Sequence, residues 1–321
     1  MVDTPGKVTL WGIEVFAAIA EERSVSAAAQ RLGASVSAVS QQLSNLETAL
    51  GAVLVDRHLR PFALTPAGEL FRARARAILN EAAEARAELA MGDLSRLARV
   101  NLGMIEDLDA DVTPGLLSAL GADFRHSRFL LETGASHRLF GLLEARTLDM
   151  IVAADMGAVE AWAEVHPLLE EPFVAAVPKG AVVPGQDALA ALSRLAFVQY
   201  TTRHLMGRQI AAHLVRQNLR LEHRYELDSY HAIMAMVAEG SGWSILTPLG
   251  FMRAGRFRDR ADVVPLPFPA LSRTISLTAR RHVLLDLPEK VAARLRPLLA
   301  DLIIAPCRAR MPWLGDSLRV L

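Results

Sequence analysis

The chain has 321 residues, 52% of them hydrophobic, and it carries 35 basic against 35 acidic side chains. This length and apolar fraction allow two or more domains with cores of their own and exclude an intrinsically disordered chain. The even charge balance excludes a protein that is cationic over its whole surface, as a generally basic nucleic-acid binder is.

The single cysteine and the N-terminal stretch indicate the compartment. Cys307 is the only cysteine, so it has no partner for an internal disulfide, which is typical of a reducing compartment. The N-terminus has no long apolar segment or signal cleavage site, and no apolar run approaches about 18 residues. We therefore predict a cytoplasmic protein without a membrane partner.

Three short helices are predicted before Gly51. The first carries an apolar stripe through Ile13 and Phe16, and the second begins after Ser24 or Ser26 as its N-cap and stops at Gly33. The third runs from its cap at Ser35 to Leu50. The short, Gly-containing turn between the last two predicts a helix-turn-helix.

The polar face of the third helix differs from an ordinary solvated face. Its side chains are short, uncharged hydrogen-bonding groups, namely Ser37, Ser40, Gln41, Ser44 and Asn45. Such groups suit close approach to base edges and phosphates. Taken alone, this stretch is equally compatible with an ordinary amphipathic helix.

A wing and a local excess of arginine support the DNA-binding interpretation. Residues 51–65 alternate like two short strands around a basic turn, and the span Arg23–Arg76 holds seven arginines against three acidic residues, a net of +4. A basic face on a neutral protein is typical of a modest phosphate-binding footprint. The predicted DNA-contacting residues are Ser24, Ser26, Arg31, Ser35, Ser37, Ser40, Gln41, Gln42, Ser44, Asn45, Arg57, His58 and Arg60.

A long helix should follow, with Thr65 as its N-cap and Pro66 at its first position. Apolar residues then recur at alternating steps of four and three, at Phe71, Ala75, Ile78, Ala82, Ala85 and Leu89. This spacing predicts a helix-helix seam that dimerises the chain. The alternative is that the same face packs on the body of its own chain.

From Arg99 onwards, short strand-like runs alternate with amphipathic helices, ending in a helix over residues 288–304. This rhythm predicts an α/β domain. Domains of this kind bind small ligands at the ends of their strands.

The segments FAAIAEERSVSAAAQRL (16–32), SQQLSNLETALG (40–51) and LVDRHLRPFALTPAG (54–68) resemble the LysR-type transcriptional regulators. The match departs from the family at Val36, Ser37 and Gln41, where Gln, Pro and Arg are common. The resemblance implies an N-terminal all-α winged helix-turn-helix domain (1–65), a linker helix (66–92) and a bilobed periplasmic-binding-protein-like (type 2) effector domain (93–305), followed by a tail (306–321). It further implies that lobe I spans about 97–166 and 269–305, that lobe II spans about 167–268, and that the linker helices form an antiparallel dimer.

Several stretches fall where a predicted strand meets a helix and are therefore candidates for the effector cleft. They are Ile105, Glu106, Asp107, Thr133, Gly134, Ser136, Thr201, Thr202, Arg203, Tyr230 and His231. Many family members have Ser or Thr after the first strand, where this chain has Ile105 and Asp107 beside Glu106. The carboxylates predict an amine- or amino-acid-like effector, with Arg203 or Arg138 for its anionic end. The alternative is that Glu106 and Asp107 cap the helix that starts at Thr113.

The sequence contains none of four common enzyme motifs: no zinc-binding HExxH, no G-x-S-x-G elbow, no P-loop and no G-x-G-x-x-G. We therefore expect a ligand-responsive regulator without catalytic residues, metal or cofactor. Its expected partners are double-stranded DNA, a small effector, further copies of itself as a dimer or tetramer, and RNA polymerase. A transport solute-binding protein is the alternative, but it leaves the first ninety residues unexplained. The tail's apolar residues predict docking, either on the chain's own body or on a partner subunit.

Overall fold

The computed structural model describes residues 7–57, 62–89, 99–125, 127–157, 159–183 and 185–321. Contacts divide the chain into two units, Met1–Asp93 with Glu144–Thr147, and Leu94–Leu143 with Leu148–Leu321. Among the helices of the described ranges, none is both long and apolar enough to cross a bilayer.

The first unit is a winged helix-turn-helix. Its elements are α1 (Leu10–Glu22), α2 (Val25–Leu32), α3 (Val36–Leu50), β1 (Val55–Asp56), β2 (Ala63–Leu64) and α4 (Pro66–Leu89). Ser24 and Ser35 cap α2 and α3 through their hydroxyls, and Gly33 and Gly51 end them in the left-handed conformation. The strands β1 and β2 pair antiparallel as the wing. These caps and turns follow the sequence prediction.

The inner face of α4 belongs to the core of this unit. Ala75 is fully buried, and the Phe71 ring lies 5.3 Å from that of Phe16 on α1. The predicted seam is therefore wrong at Ala75, because the four-and-three spacing also describes the face that packs on α1, whereas Phe71 is half-buried and its part in a dimer stays a prediction. Ile78 is exposed instead, and the side chain of Leu89 lies outside the described residues.

Lobe I of the second unit is built on a six-stranded sheet in the order β13-β6-β12-β5-β3-β4. Its strands are β3 (Arg99–Ile105), β4 (Arg128–Gly134), β5 (Met150–Ala154), β6 (Ala163–Pro172), β12 (Ser272–Arg280) and β13 (Arg319–Val320). β3 pairs parallel with β4 and β5, and β12 pairs antiparallel with β5 and β6. Its helices are α5 (Thr113–Asp123), α6 (Ser136–Glu144), α11 (Leu287–Leu299) and α12 (Ala305–Arg310).

Lobe II is contiguous in sequence. Its strands are β7 (Val174–Pro178), β8 (Phe197–Tyr200), β9 (His223–Leu227), β10 (Ser244–Leu246) and β11 (Ala261–Pro265). Its helices are α7 (Ala188–Leu192), α8 (Leu205–Arg216), α9 (Tyr230–Ala238) and α10 (Pro248–Arg253). β10-β7-β11 form one sheet and β8-β9 another, linked by a bridge between Phe197 and Trp243.

Two adjacent chain segments join the lobes. β6 stays in the lobe I sheet as far as Pro172, which pairs with Ser272. The first crossing is therefore at Pro172 and Phe173 rather than near His166, because β6 is a long strand that sequence reasoning missed. The return crossing lies between Pro265 and Ser272, around the expected Pro269.

The C-terminal tail docks on its own lobe I. Cys307, Met311, Leu314 and Leu318 are buried, and β13 pairs antiparallel with Leu169 and Glu170 of β6. The tail thereby forms the edge strand of the sheet. Of the two alternatives left open by the sequence, the structure shows docking on the chain's own body.

Candidate DNA-binding surface and effector cleft

The polar face of α3 is open to solvent. Ser37, Gln41 and Asn45 are exposed, while Val39, Leu43 and Leu46 on the opposite face are buried. The Gln41 amide donates to Asn45 Oδ1 at 2.9 Å, which links these two exposed side chains. In helix-turn-helix proteins the N-terminal part of this helix contacts base edges.

Several predicted DNA contacts are engaged within the unit. Arg57 Nη2 lies 2.7 Å from Glu47 Oε2 and donates to Ser44 Oγ at 3.1 Å. Glu47 Oε1 also accepts from the backbone N–H groups of Leu54 and Val55, so this glutamate fixes the wing against α3. The cluster places Arg57 beside the exposed polar face of α3.

The other predicted contacts differ in their surroundings. Arg31 is exposed but paired with Glu21 and Glu22. The hydroxyls of Ser24 and Ser35 serve as helix caps, whereas Ser26 is exposed and Ser40 and Gln42 are half-buried. His58 and Arg60 lie outside the described residues.

A cavity of about 320 Å³ opens between lobes I and II. Lobe I contributes the ends of β3 and β4 and the start of α6, and lobe II contributes the starts of α8 and α9. Seven of the predicted effector residues line it: Ile105, Glu106, Asp107, Gly134, Ser136, Tyr230 and His231. The strand-end rule therefore located this cavity.

A buried ion cluster forms the floor of the cavity. Arg273 on β12 contacts Asp107 through Nη2 at 2.5 Å and Glu171 through Nε at 2.7 Å, and all three side chains are nearly inaccessible to water. Tyr230 of lobe II directs its hydroxyl to Asp107 at 3.5 Å. Burial raises the pKa of the Glu171 carboxyl, against the lowering effect of Arg273.

This cluster corrects the role expected of Asp107. Its charge is compensated by Arg273, so it is not a free carboxylate facing a ligand. Nor do Glu106 and Asp107 cap α5, whose N-cap Val112 makes no side-chain bond. They form a short 3₁₀ turn, Glu106–Leu108, in which Glu106 alone is exposed.

Four predicted effector residues are not part of the described cavity wall. The hydroxyls of Thr201 and Thr202 both bond to Glu226, and Thr133 lies on β4 outside the cavity lining. Arg203 is largely exposed, with its guanidinium 4.0 Å from Asp228. Arg138 pairs with Glu132. Neither arginine therefore supplies the predicted cationic end of the cleft.

Sequence reasoning missed other residues of the wall. They are His137, Ala154, Leu205, Met206, Gln209, Asp228, Arg253 and Arg273. Most lie within one helical turn of a predicted strand-to-helix junction. Counting one further turn of residues at each junction as cleft candidates would have included them. Arg273 had a signal of its own, as a charge inside a strand that is otherwise buried.

Two imidazoles meet across the cleft. The ring centroids of His137 on α6 and His204, the N-cap of α8, are 5.3 Å apart. Burial lowers the pKa of His137, and the nearby His204 and Arg208 lower it further. His137 is therefore a neutral hydrogen-bonding group near pH 7. Within the described ranges, no group of three His, Cys, Asp or Glu side chains is placed to hold a metal ion.

The fold and the cleft define a DNA-binding regulator with a ligand-sensing domain, and family comparison agrees. Residues 10–69 match the bacterial regulatory helix-turn-helix of the lysR family, and residues 95–296 match the LysR substrate binding domain. The chain belongs to the LysR family of transcription regulators. Its helix-turn-helix binds DNA and its bilobed domain binds an effector, so the solute-binding alternative is not favoured.

Similar proteins include activators of hydrogen peroxide-inducible genes. A probable hydrogen peroxide-inducible genes activator of Mycobacterium avium is 29% identical, covering 87% of this chain and 90% of that protein. The DNA-binding transcriptional dual regulator OxyR of Escherichia coli K12 is 26% identical, covering 84% and 88%. A full-length OxyR variant from Pseudomonas aeruginosa shares the fold, with a TM-score of 0.66 at 24% identity over 90% of this chain and 98% of that one.

Proposed function

We propose that the chain binds a dyad-symmetric operator as a dimer or tetramer, with Ser37, Gln41 and Asn45 reading bases. The observation that carries this is the exposed, uncharged polar face of α3, held in register by the bond from Gln41 to Asn45. Two-fold symmetric dimers read two half-sites, which is why the operator is expected to be palindromic. Acting on chromosomal DNA, the regulator works in the cytoplasm and contacts RNA polymerase there.

The exposed face of α4 supports the dimer. Leu70 and Ile78 are exposed large apolar side chains of α4, eight residues apart and therefore about 80° apart around its axis. A helix that presents such residues on the face turned away from its own core has a surface for a second helix. This face replaces the predicted seam at Ala75 while keeping Ile78.

The effector is an amine-bearing small molecule bound in the cavity between the lobes. Glu106 and Asp228 are exposed carboxylates on its wall, and they come from opposite lobes. Asp228 has the guanidinium of Arg203 at 4.0 Å, whereas Glu106 has no ion-pair partner among the described residues. The two wall arginines do not offset them, because Arg253 is paired with Asp109 and Arg273 with Asp107 and Glu171. The wall is therefore net negative and attracts a cation.

Hydrogen peroxide is a poor candidate effector for this chain despite the names of its relatives. The thiolate is the form of cysteine that reacts with oxidants. Cys307 is the only cysteine in the sequence, it is buried, and burial raises its pKa to about 12. Peroxide treatment should leave Cys307 reduced by mass spectrometry and should leave operator affinity unchanged.

Genomic footprinting with the purified full chain tests the regulator proposal, because it returns the operator and its neighbouring genes. A thermal-shift screen of amines, amino acids and carboxylates tests the effector class, since a ligand that binds only the folded state raises the Tm. Stabilisation by plain carboxylates alone, unchanged in the variant Glu106→Gln, contradicts the amine effector and leaves the regulator assignment intact.

A further inference from the structure

A second cavity, of about 230 Å³, opens on another part of the boundary between the lobes. Lobe II contributes α10 and the 3₁₀ turn Gly255–Arg260, and lobe I contributes the residues before α5 and the start of α12. Of its described wall, only Asp107 and Arg253 also line the effector cavity. The second cavity is therefore a candidate site of its own.

Most of the wall of the second cavity is apolar. The apolar side chains are Leu249, Met252, Leu302, Ile303 and Pro306, together with the buried Cys307. Leu302 and Ile303 belong to a π-helical turn, Ala300–Ile304, between α11 and α12. Single π turns occur frequently at functional sites. The cavity thus offers an apolar surface to the body of a small ligand.

Arg258 is a half-buried cation on this wall, and no carboxylate of the described residues pairs with it. Its Nη1 donates to Met252 Sδ at 3.6 Å, and a thioether sulfur is a weak acceptor. Nε and Nη2 make no hydrogen bond within the described ranges, yet neither is among the unpaired side-chain atoms that protein covers. These two N–H-bearing atoms form one edge of the guanidinium, so that edge is open to a ligand.

The other charged groups of this wall are compensated or screened. Arg253 and Asp107 are held in the ion pairs described above. Asp111 is exposed, so water and salt screen its charge. Arg258 therefore determines which ligand charge the cavity prefers, and that charge is negative.

We propose that the second cavity binds a small carboxylate with an apolar body, in addition to the effector in the first cavity. The carboxylate lies side-on against Nε and Nη2 of Arg258, because this edge of a guanidinium matches the two carboxylate oxygens. The body of the ligand packs on the apolar side chains of the wall, Leu302 and Pro306 among them. The two cavities then prefer ligands of opposite charge.

Calorimetry with the full chain tests the site. The probe is 4-methylpentanoate, with 4-methylpentanamide as its uncharged counterpart and acetate as the carboxylate that lacks the body. Arg258→Gln removes the guanidinium, and Arg258→Lys keeps the charge without the planar fork. Arg256→Gln is the matched control, because Arg256 is exposed on the same 3₁₀ turn and lies over the Phe257 ring, outside the described cavity wall.

We expect 4-methylpentanoate to bind the wild-type chain more tightly than the amide or acetate. Binding should weaken roughly 10- to 100-fold in Arg258→Gln, through loss of hydrogen bonds to a charged group. The loss should be smaller in Arg258→Lys and absent in Arg256→Gln. Asp111→Asn should tighten binding, because it removes a like charge from the wall. Without ligand, the Tm of Arg258→Gln should stay at the wild-type value, whereas a purely structural role predicts a lower Tm.

Three results overturn the proposal. They are absence of 4-methylpentanoate binding to the wild type, equal binding of the amide, and equal binding of 4-methylpentanoate to the wild type and Arg258→Gln. These results leave the amine effector standing, because its probes carry the opposite charge and bind the first cavity. Glu106→Gln, which alters the first cavity alone, should not weaken 4-methylpentanoate binding. A loss there with none in Arg258→Gln places the carboxylate in the first cavity and contradicts both proposals.

Discussion

Arg273 holds together two carboxylates that are themselves out of reach of water. Glu171 is fully buried and Asp107 nearly so, and both contact the one guanidinium. Glu171 Oε2 also accepts from the backbone N–H of Leu249 on α10, at 3.4 Å. The cluster thus connects two strands of lobe I with a helix of lobe II.

Replacing Arg273 by Met should therefore destabilise the effector domain strongly. The substitution leaves two buried carboxylates side by side without a cation, which costs about 3–5 kcal/mol of unfolding free energy. Denaturant unfolding measures the loss. Arg138→Met is the control, since the Arg138 side chain is 61% exposed in its pair with Glu132, and such pairs contribute about 0–1 kcal/mol. Equal losses in both variants contradict the assigned role.

His137 should make stability depend on pH. Burial and the neighbouring cations lower its folded-state pKa below the usual value of 6.5. The unfolded chain then takes up this proton more readily, so the free energy of unfolding falls as the pH drops through about 6.5. His137→Gln should flatten this fall between pH 8 and pH 5.5, measured as Tm. The exposed His223→Gln should keep it, and an unchanged slope in His137→Gln counts against the mechanism.

Gln41 should discriminate between DNA sequences. Gln41→Ala should lower affinity for the operator by about 1–3 kcal/mol, the value of a bidentate base contact, and affect random DNA much less. Fluorescence anisotropy on both duplexes measures the difference. Thr48→Ala, two turns further along the exposed face of α3, should change little because the N-terminal turns of such a helix reach the bases. Equal losses on both duplexes remove Gln41 from base reading.

At the scale of the element, the sequence predicted most strands and helices but missed those with mixed polarity. β6 (AEVHPLLEEP) has two prolines and three glutamates, yet it pairs with β12 from Ala163 to Pro172 in the lobe I sheet. β13 is only two residues long and exists through pairing with β6. Local patterns do not encode such strands, because their stability comes from partners far along the chain.

The same limit applies to the cavity. The strand-end rule found Glu106, Ser136 and Tyr230, since each follows directly from a local pattern. It missed Arg273, whose partners Glu171 and Asp107 are 102 and 166 residues away in sequence. A buried cation becomes interpretable only when its carboxylates are known to be near, and that requires the fold.

The exposed face of α4 should control assembly. Ile78→Asp places a charge in the proposed helix-helix contact, where leaving it unpaired is costly, so the dimer should weaken by several kcal/mol. Analytical ultracentrifugation should show smaller species, and operator binding should fall. Val53→Asp is the control, an exposed aliphatic side chain elsewhere in the same unit. An unchanged oligomer for Ile78→Asp assigns the contact to another surface.

On the scale of the whole molecule, the last residues are part of the effector domain. Leu318 is fully buried beside β13, whereas Leu321 is 38% exposed. Leu318→Ala should therefore cost about 2–5 kcal/mol of unfolding free energy. Leu321→Ala should stay within about 0.5 kcal/mol, as surface changes do. Chemical denaturation compares the two, and similar values contradict the docked tail.

The strand order of lobe I also dictates when its sheet can be completed on the ribosome. All five strands of lobe II lie between Val174 and Pro265, so they are synthesised as one block. In lobe I, β12 (Ser272–Arg280) lies between β5 and β6, so neither of these strands can pair with it before β12 is synthesised. The edge strand β13, which pairs with β6, follows at Arg319–Val320. Chains fold as segments emerge. The winged helix-turn-helix is therefore synthesised before either lobe is complete, and the wall of the effector cavity is complete only when Arg273 of β12 has emerged.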